Sequence, residues 1–133
     1  MPNYSATISG FATGDSLVIR RTISRSSSGM PSGVFVTKAW LTVKDELTDA
    51  DVDALVQKEI TTTDAPGVGQ LEDDGNGDTD PVLRFDLVAA DTRAIGATHR
   101  YYDIQVLLNV NSSIYTGEKG EVWGEGDVTL ATS

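Results

Sequence analysis

The sequence predicts an all-β fold: one antiparallel β-sandwich of about seven to eight strands spanning residues 1–133, with at most a short helical turn. Three observations carry this. Polar and apolar residues alternate with period two in several short stretches, most strictly in "VLRFDLV" (Val82–Val88) and "RYYDIQV" (Arg100–Val106). Turn-forming glycine, aspartate and serine separate these stretches. No repeat of fixed period and no linker divides the chain, and its 133 residues suit a single domain.

The elements follow in order. Tyr4–Phe11 reads as a first strand with Tyr4, Ala6 and Ile8 on one face. Thr13–Ser16 is a turn, and Ser16–Ser24 a strand with Leu17, Ile19 and Ile23 inward. Arg21 interrupts that inward face, which places it at an edge or snorkelling to solvent. Arg25–Gly33, "RSSSGMPSG", has the composition of an exposed loop. Val34–Lys44 is apolar on both faces, with Phe35, Thr37, Ala39, Leu41 and Val43 on one and Val34, Val36, Trp40 and Thr42 on the other. That pattern predicts a strand that sits centrally or against a partner, with Trp40 in the core.

Asp45–Thr63 admits two readings. Thr48 can cap a short helix with Val52, Leu55 and Val56 as its apolar stripe, or Asp45–Asp53 is an acidic turn before a strand at Leu55–Thr62. The threonines favour the strand. Asp64–Pro81 reads as a long loop with a brief extended piece at Val68–Leu71. Val82–Val88 is a strand with Leu83, Phe85 and Leu87 inward. Ala89–Thr98 is a helical turn stopped by Gly96. The next strand runs from Arg100 to Val110, with Tyr102, Ile104, Val106, Leu108 and Val110 sharing one face. Ile114–Thr132 supplies two last strands that glycines bend or bulge.

The formal net charge is −10, unevenly spread: residues 45–80 hold twelve of the twenty acids and a single base, Lys58. A negative field of this kind opposes nucleic-acid binding. No apolar run approaches the ~20 residues of a membrane span, and no basic-then-apolar leader opens the chain. The expected partners therefore include neither nucleic acid nor membrane. With no cysteine there is neither a disulfide nor a thiolate metal site.

Chemistry-bearing residues are few. The lone histidine, His99, has no nucleophile elbow to serve and reads as structural or solvent-exposed, so no catalytic residues and no enzyme activity are expected. The metal candidate is "DDGNGDTD" (Asp73–Asp80), in which Asp74, Asn76 and Asp78 offer oxygens at alternating positions for calcium. Thr79 and Phe85 stand where an EF-hand needs glycine and glutamate, and the alternative is a solvated turn. No other cofactor is expected. Candidate partner contacts are Arg20, Arg21 and Arg25 of the basic "RRTISR" group, with Met30 and Trp123. The basic group suits an acidic surface, including the acid segment of a neighbouring copy.

Several pieces in this order resemble a known family: "TGDSLVIRRTI", "AWLTVKD" followed by "ALVQKEITTT", "VLRFDLVAADTRAI", "RYYDIQV" and "GEVWGEGDVTLA". They look like the immunoglobulin-like domain of phage baseplate upper protein and related short virion proteins of tailed phages, over about Gly14–Ala131. The resemblance implies a sandwich of immunoglobulin-like type and a place in the virion after synthesis in the host cytoplasm. The "DT" turn is then Asp91–Thr92, and a closing hairpin ends the chain. The chain departs from the family in lacking the further domain some baseplate members carry, and in its long acidic loop. The resemblance implies a multi-copy structural protein that contacts other virion proteins as a tail, neck or baseplate adaptor or fibre-attachment piece. Capsid decoration on the outer head surface is the alternative station, and a calcium- or carbohydrate-binding sandwich is the alternative of a different class.

Overall fold

The computed structural model describes residues 6–28, 30–45, 54–97, 99–110 and 113–125. Eight strands form two facing sheets. They are β1 (Ala6–Ala12), β2 (Leu17–Thr22), β3 (Val36–Lys44), β4 (Val56–Ile60), β5 (Gly69–Asp73), β6 (Val82–Leu87), β7 (His99–Leu108) and β8 (Ile114–Glu125). The larger sheet has the order β1-β8-β7-β3-β4 and the smaller β2-β6-β5. Two helical pieces interrupt them, α1 (Arg25–Ser28) and α2 (Ala89–Ile95).

The alternation read from the sequence is what closes the sandwich. Leu83, Phe85 and Leu87 of β6 are fully buried and face Leu41, Val43, Ile104 and Val106 of the larger sheet. Burying one such side chain is worth about 1.5–3 kcal/mol relative to leaving it in water. Ile95 closes one end of the core from α2. That helix starts where the Val88 N–H donates to Asp91 Oδ2 at 2.8 Å and ends at Gly96, which adopts φ 79°, the left-handed backbone that glycine takes without cost.

Several expectations need correction. The sandwich is not wholly antiparallel, because β1 runs parallel to β8. β1 carries an irregularity between Ile8 and Phe11, so these two core residues sit three apart; Tyr4 lies outside the described residues. In β3 a register shift between Val36 and Lys38 puts Val36 on the same face as Ala39, Leu41 and Val43, which strict alternation forbids. Trp40 is consequently on the outer face, half-buried, and not in the core. Val110 lies beyond the end of β7 and is 42% exposed. Ile114–Glu125 is a single strand whose pairing with β7 skips Gly117, which forms the expected bulge; the remainder of the stretch expected to hold two strands, residues 126–133, lies outside the described residues. Of the two readings of Asp45–Thr63, the strand is right: Leu55 leads into β4, while residues 46–53 are outside the described set. The extended piece expected at Val68–Leu71 is β5.

Candidate contact surface

Arg20 and Arg84 lie directly opposite each other on the outer face of the smaller sheet. Two like charges in that position repel. Glu72 on β5 removes the conflict, accepting from Arg20 Nε at 2.7 Å and from Arg84 Nη1 at 3.3 Å. Arg84 also meets Asp64 at 2.5 Å and Asp86 at 3.1 Å. The hydrogen bond from Arg20 holds the Glu72 carboxyl below its ordinary pKa. Arg21 turns to the sandwich edge and binds Glu118 of the opposite sheet, its Nε 3.1 Å from Oε2.

Arg25 is no free surface cation. Its side chain is 11% exposed and donates to the carbonyls of Pro31 at 2.6 Å, Gly75 at 3.2 Å and Thr79 at 3.3 Å. Met30 packs partly buried against the core, its Sδ 3.4 Å from the same guanidinium. The segment expected to be an exposed loop thus contains α1 and is tied to Asp73–Asp80. The basic group does meet an acidic segment, but it is the chain's own.

The calcium candidates point elsewhere. Asp78 accepts from the Ser32 hydroxyl at 2.6 Å and the Gly33 N–H at 2.8 Å, and these bonds depress its pKa. Asp74 Oδ1 accepts the Asn76 N–H at 2.8 Å, a local turn closure. Among the described residues no group of three or more His, Asp or Glu is placed to hold a metal. The Asp74 and Asp78 carboxylates thus serve to fold the loop.

A different surface emerges on the outer face of the larger sheet. Here β7 and β8 pair rung by rung, and the outward rungs are His99–Trp123, Tyr101–Glu121, Asp103–Lys119, Gln105–Thr116 and Leu107–Ile114. The His99 and Trp123 rings stack at 4.1 Å and 8°, with Tyr101 tilted against His99 at 4.8 Å. Trp123 remains 46% exposed and Ile114 61%. His99 Nε2 lies 3.1 Å from Glu121 Oε1. These neighbours orient the imidazole and offer it no nucleophile. Beside the rungs, Trp40 Nε1 donates to Glu59 at 2.9 Å, and an open hollow of about 170 Å³ lies between Trp40, Gln57, Gln105 and Ile114.

Of the five candidate contacts, Trp123 sits on this face, Met30 packs against the core, and Arg20, Arg21 and Arg25 are engaged within the chain. Sequence reading placed Leu107 on the outer face with Tyr101, Asp103 and Gln105, and missed Ile114 and Trp40 as surface residues. The available signal was the two-sided apolarity of β3, which marked a strand covered on one face by the core and on the other by something else. Compared with known proteins, the chain matches no family model and no curated sequence.

Proposed function

We propose that this chain is a structural protein of a tailed-phage virion, working through protein–protein contacts as a tail, neck or baseplate adaptor or as a fibre-attachment piece. The observation that carries the reading is the strand order. A four-stranded run β8-β7-β3-β4 faces β2-β6-β5, with β1 added parallel to β8. The strand β4 beside β8-β7-β3 resembles the extension of one sheet in a variable-type immunoglobulin sandwich, by one strand here where that type adds two. It supports the immunoglobulin-like type that the sequence resemblance implies. Fold alone does not fix function, so the role rests on the resemblance together with a surface suited to contact.

The mechanism is shape. Three of the four edge strands carry charges that discourage strand addition, Arg20 and Arg21 on β2, Lys58 and Glu59 on β4, and Glu72 and Asp73 on β5, while β1 (ATISGFA) carries none. Contacts then fall to the uncharged β1 edge and to the face of the larger sheet, which offers the exposed Ile114 and Trp123. The reading assigns the chain no catalytic step and places it in the particle after synthesis in the host cytoplasm. The test is to locate the chain in purified particles by cryo-EM, with mass spectrometry of the same preparation. Density at the tail, neck or baseplate is the expected result. Density on the outer head surface assigns it to capsid decoration instead, and absence from purified particles overturns the virion reading.

A further inference from the structure

We infer that the outer face of the larger sheet pairs with the same face of a second copy of this chain, through a two-fold axis lying between β7 and β8 and along them. The inference is independent of where the protein works.

The argument is one of rungs. A two-fold rotation about an axis parallel to the strands, midway between the two facing sheets and above the gap between two paired strands, lays each strand's outward residues over its neighbour's in the second copy. Here every rung is complementary to itself under that exchange. Asp103 comes over Lys119 of the second copy and Lys119 over its Asp103, an ion pair made twice. Gln105 and Thr116 exchange hydrogen-bonding groups. Tyr101 brings a phenol to the Glu121 carboxylate. Leu107 covers Ile114, which is 61% exposed in one copy, and the His99–Trp123 stacks meet as four rings. A face with Asp over Asp or Lys over Lys would repel; this one has neither.

Charge across the wider face agrees. The chain carries −10, so two copies repel over most of their surfaces. On this face the described side chains balance: Lys38, Lys44 and Lys119 against Glu59, Asp103 and Glu121. The axis lays β7 over β8 and β3 over β1 of the second copy, and these four strands at ~4.8 Å spacing and ~3.4 Å per residue offer roughly 600 Å², somewhat under the ~800 Å² per partner of a standard interface. A two-fold axis along the strands keeps the facing strands aligned, within the ~30° that packed sheets adopt.

The test uses charge exchange at the central rung. Lys119→Asp and Asp103→Lys are each made in the full chain, and mass in solution is measured by sedimentation equilibrium. The parent chain is expected to be a dimer. Each variant alone is expected to be a monomer, because like charges then face each other twice. A one-to-one mixture of the two variants is expected to recover a dimer containing one of each, because opposite charges again meet. Thermal melts matching the parent show that both variants fold. Ile114→Glu, at a position far from the ion pair and largely exposed, is expected to give monomers too and stands in should either charge variant fail to fold. A parent chain that stays monomeric at about 100 μM, weaker than most specific association, overturns the inference. So does a dimer that survives Ile114→Glu, or a variant mixture that stays monomeric.

Discussion

The Tyr102 hydroxyl donates to the Glu118 carboxylate across β7 and β8, where Arg21 reaches over from the opposite sheet to the same carboxylate. Three polar groups thereby join the two layers beside an otherwise apolar core. Burial, then the hydrogen bond to Glu118 and its charge, raise the Tyr102 pKa well above the ordinary 10.0. Burial works against the Arg21 charge, and Glu118 more than offsets it.

Tyr102→Phe removes a bond to a charged acceptor, so its expected cost is ~1.5–3 kcal/mol of unfolding free energy, read by denaturant melts. The fold favours the protonated phenol. That contribution is complete below the unfolded pKa and is lost as pH rises through the higher folded one. The alkaline absorbance titration of the parent minus that of Tyr102→Phe is therefore expected to show a step above pH 10. A step at the ordinary tyrosine value would deny the bond.

Glu72 separates two facing arginines, and its folded pKa lies below the ordinary 4.5. The sign is opposite to that of Tyr102: the contribution is present above the unfolded pKa and disappears as pH falls through the folded one. Glu72→Gln is expected to lower the melting temperature most at neutral pH and low salt. The difference from the parent should close in acid and shrink in high salt, because these groups are exposed to solvent and screened.

Thr92 is fully buried and ties α2 to the turn after β1. Its Oγ1 accepts the Gly14 N–H at 2.8 Å and lies 2.8 Å from the Asp15 carbonyl, to which it donates. Thr92→Val keeps the shape and strands both backbone groups, with an expected cost of ~1–3 kcal/mol for each buried group left unpaired. Thr92→Ser keeps the hydroxyl and should recover most of that loss. Equal melts for the valine and serine variants would show that the hydroxyl contributes nothing.

Gly69 holds φ 134°, and a Cβ there would lie 2.0 Å from the Arg84 carbonyl oxygen and 2.9 Å from Ile60 Cγ2. A side chain at this position meets backbone on one side and core on the other. Gly69→Ala is expected to destabilise the chain by several kcal/mol or prevent its folding, read as loss of the cooperative melt.

Millimolar calcium is expected to leave the melting temperature where it is. Asp78 already serves Ser32 and Gly33, and Asp74 serves its own turn. An ion that binds the native state must raise the melting point by mass action, so a clear upward shift would show that these oxygens can be recruited to a cation.

The sequence by itself determined the layers and most of the strands. Period-two burial at Leu83, Phe85 and Leu87, and at Tyr102, Ile104 and Val106, is local information: side chains on a strand alternate by geometry, so the inward set is readable without knowing the partner. The α2 stop at Gly96 was readable for the same reason, since a left-handed residue ends a helix wherever it lies. What only the tertiary structure decided was which residues meet across distance. Arg20 finds Glu72, Arg25 finds the Asp73–Asp80 loop, and β1 joins β8 in parallel, all over separations of about fifty residues or more. The bulge in β3 belongs to the same class, because one extra residue reverses every later side chain and leaves Trp40 outside. Charge and alternation set what each segment can offer, and sheet order and register set what it is offered to.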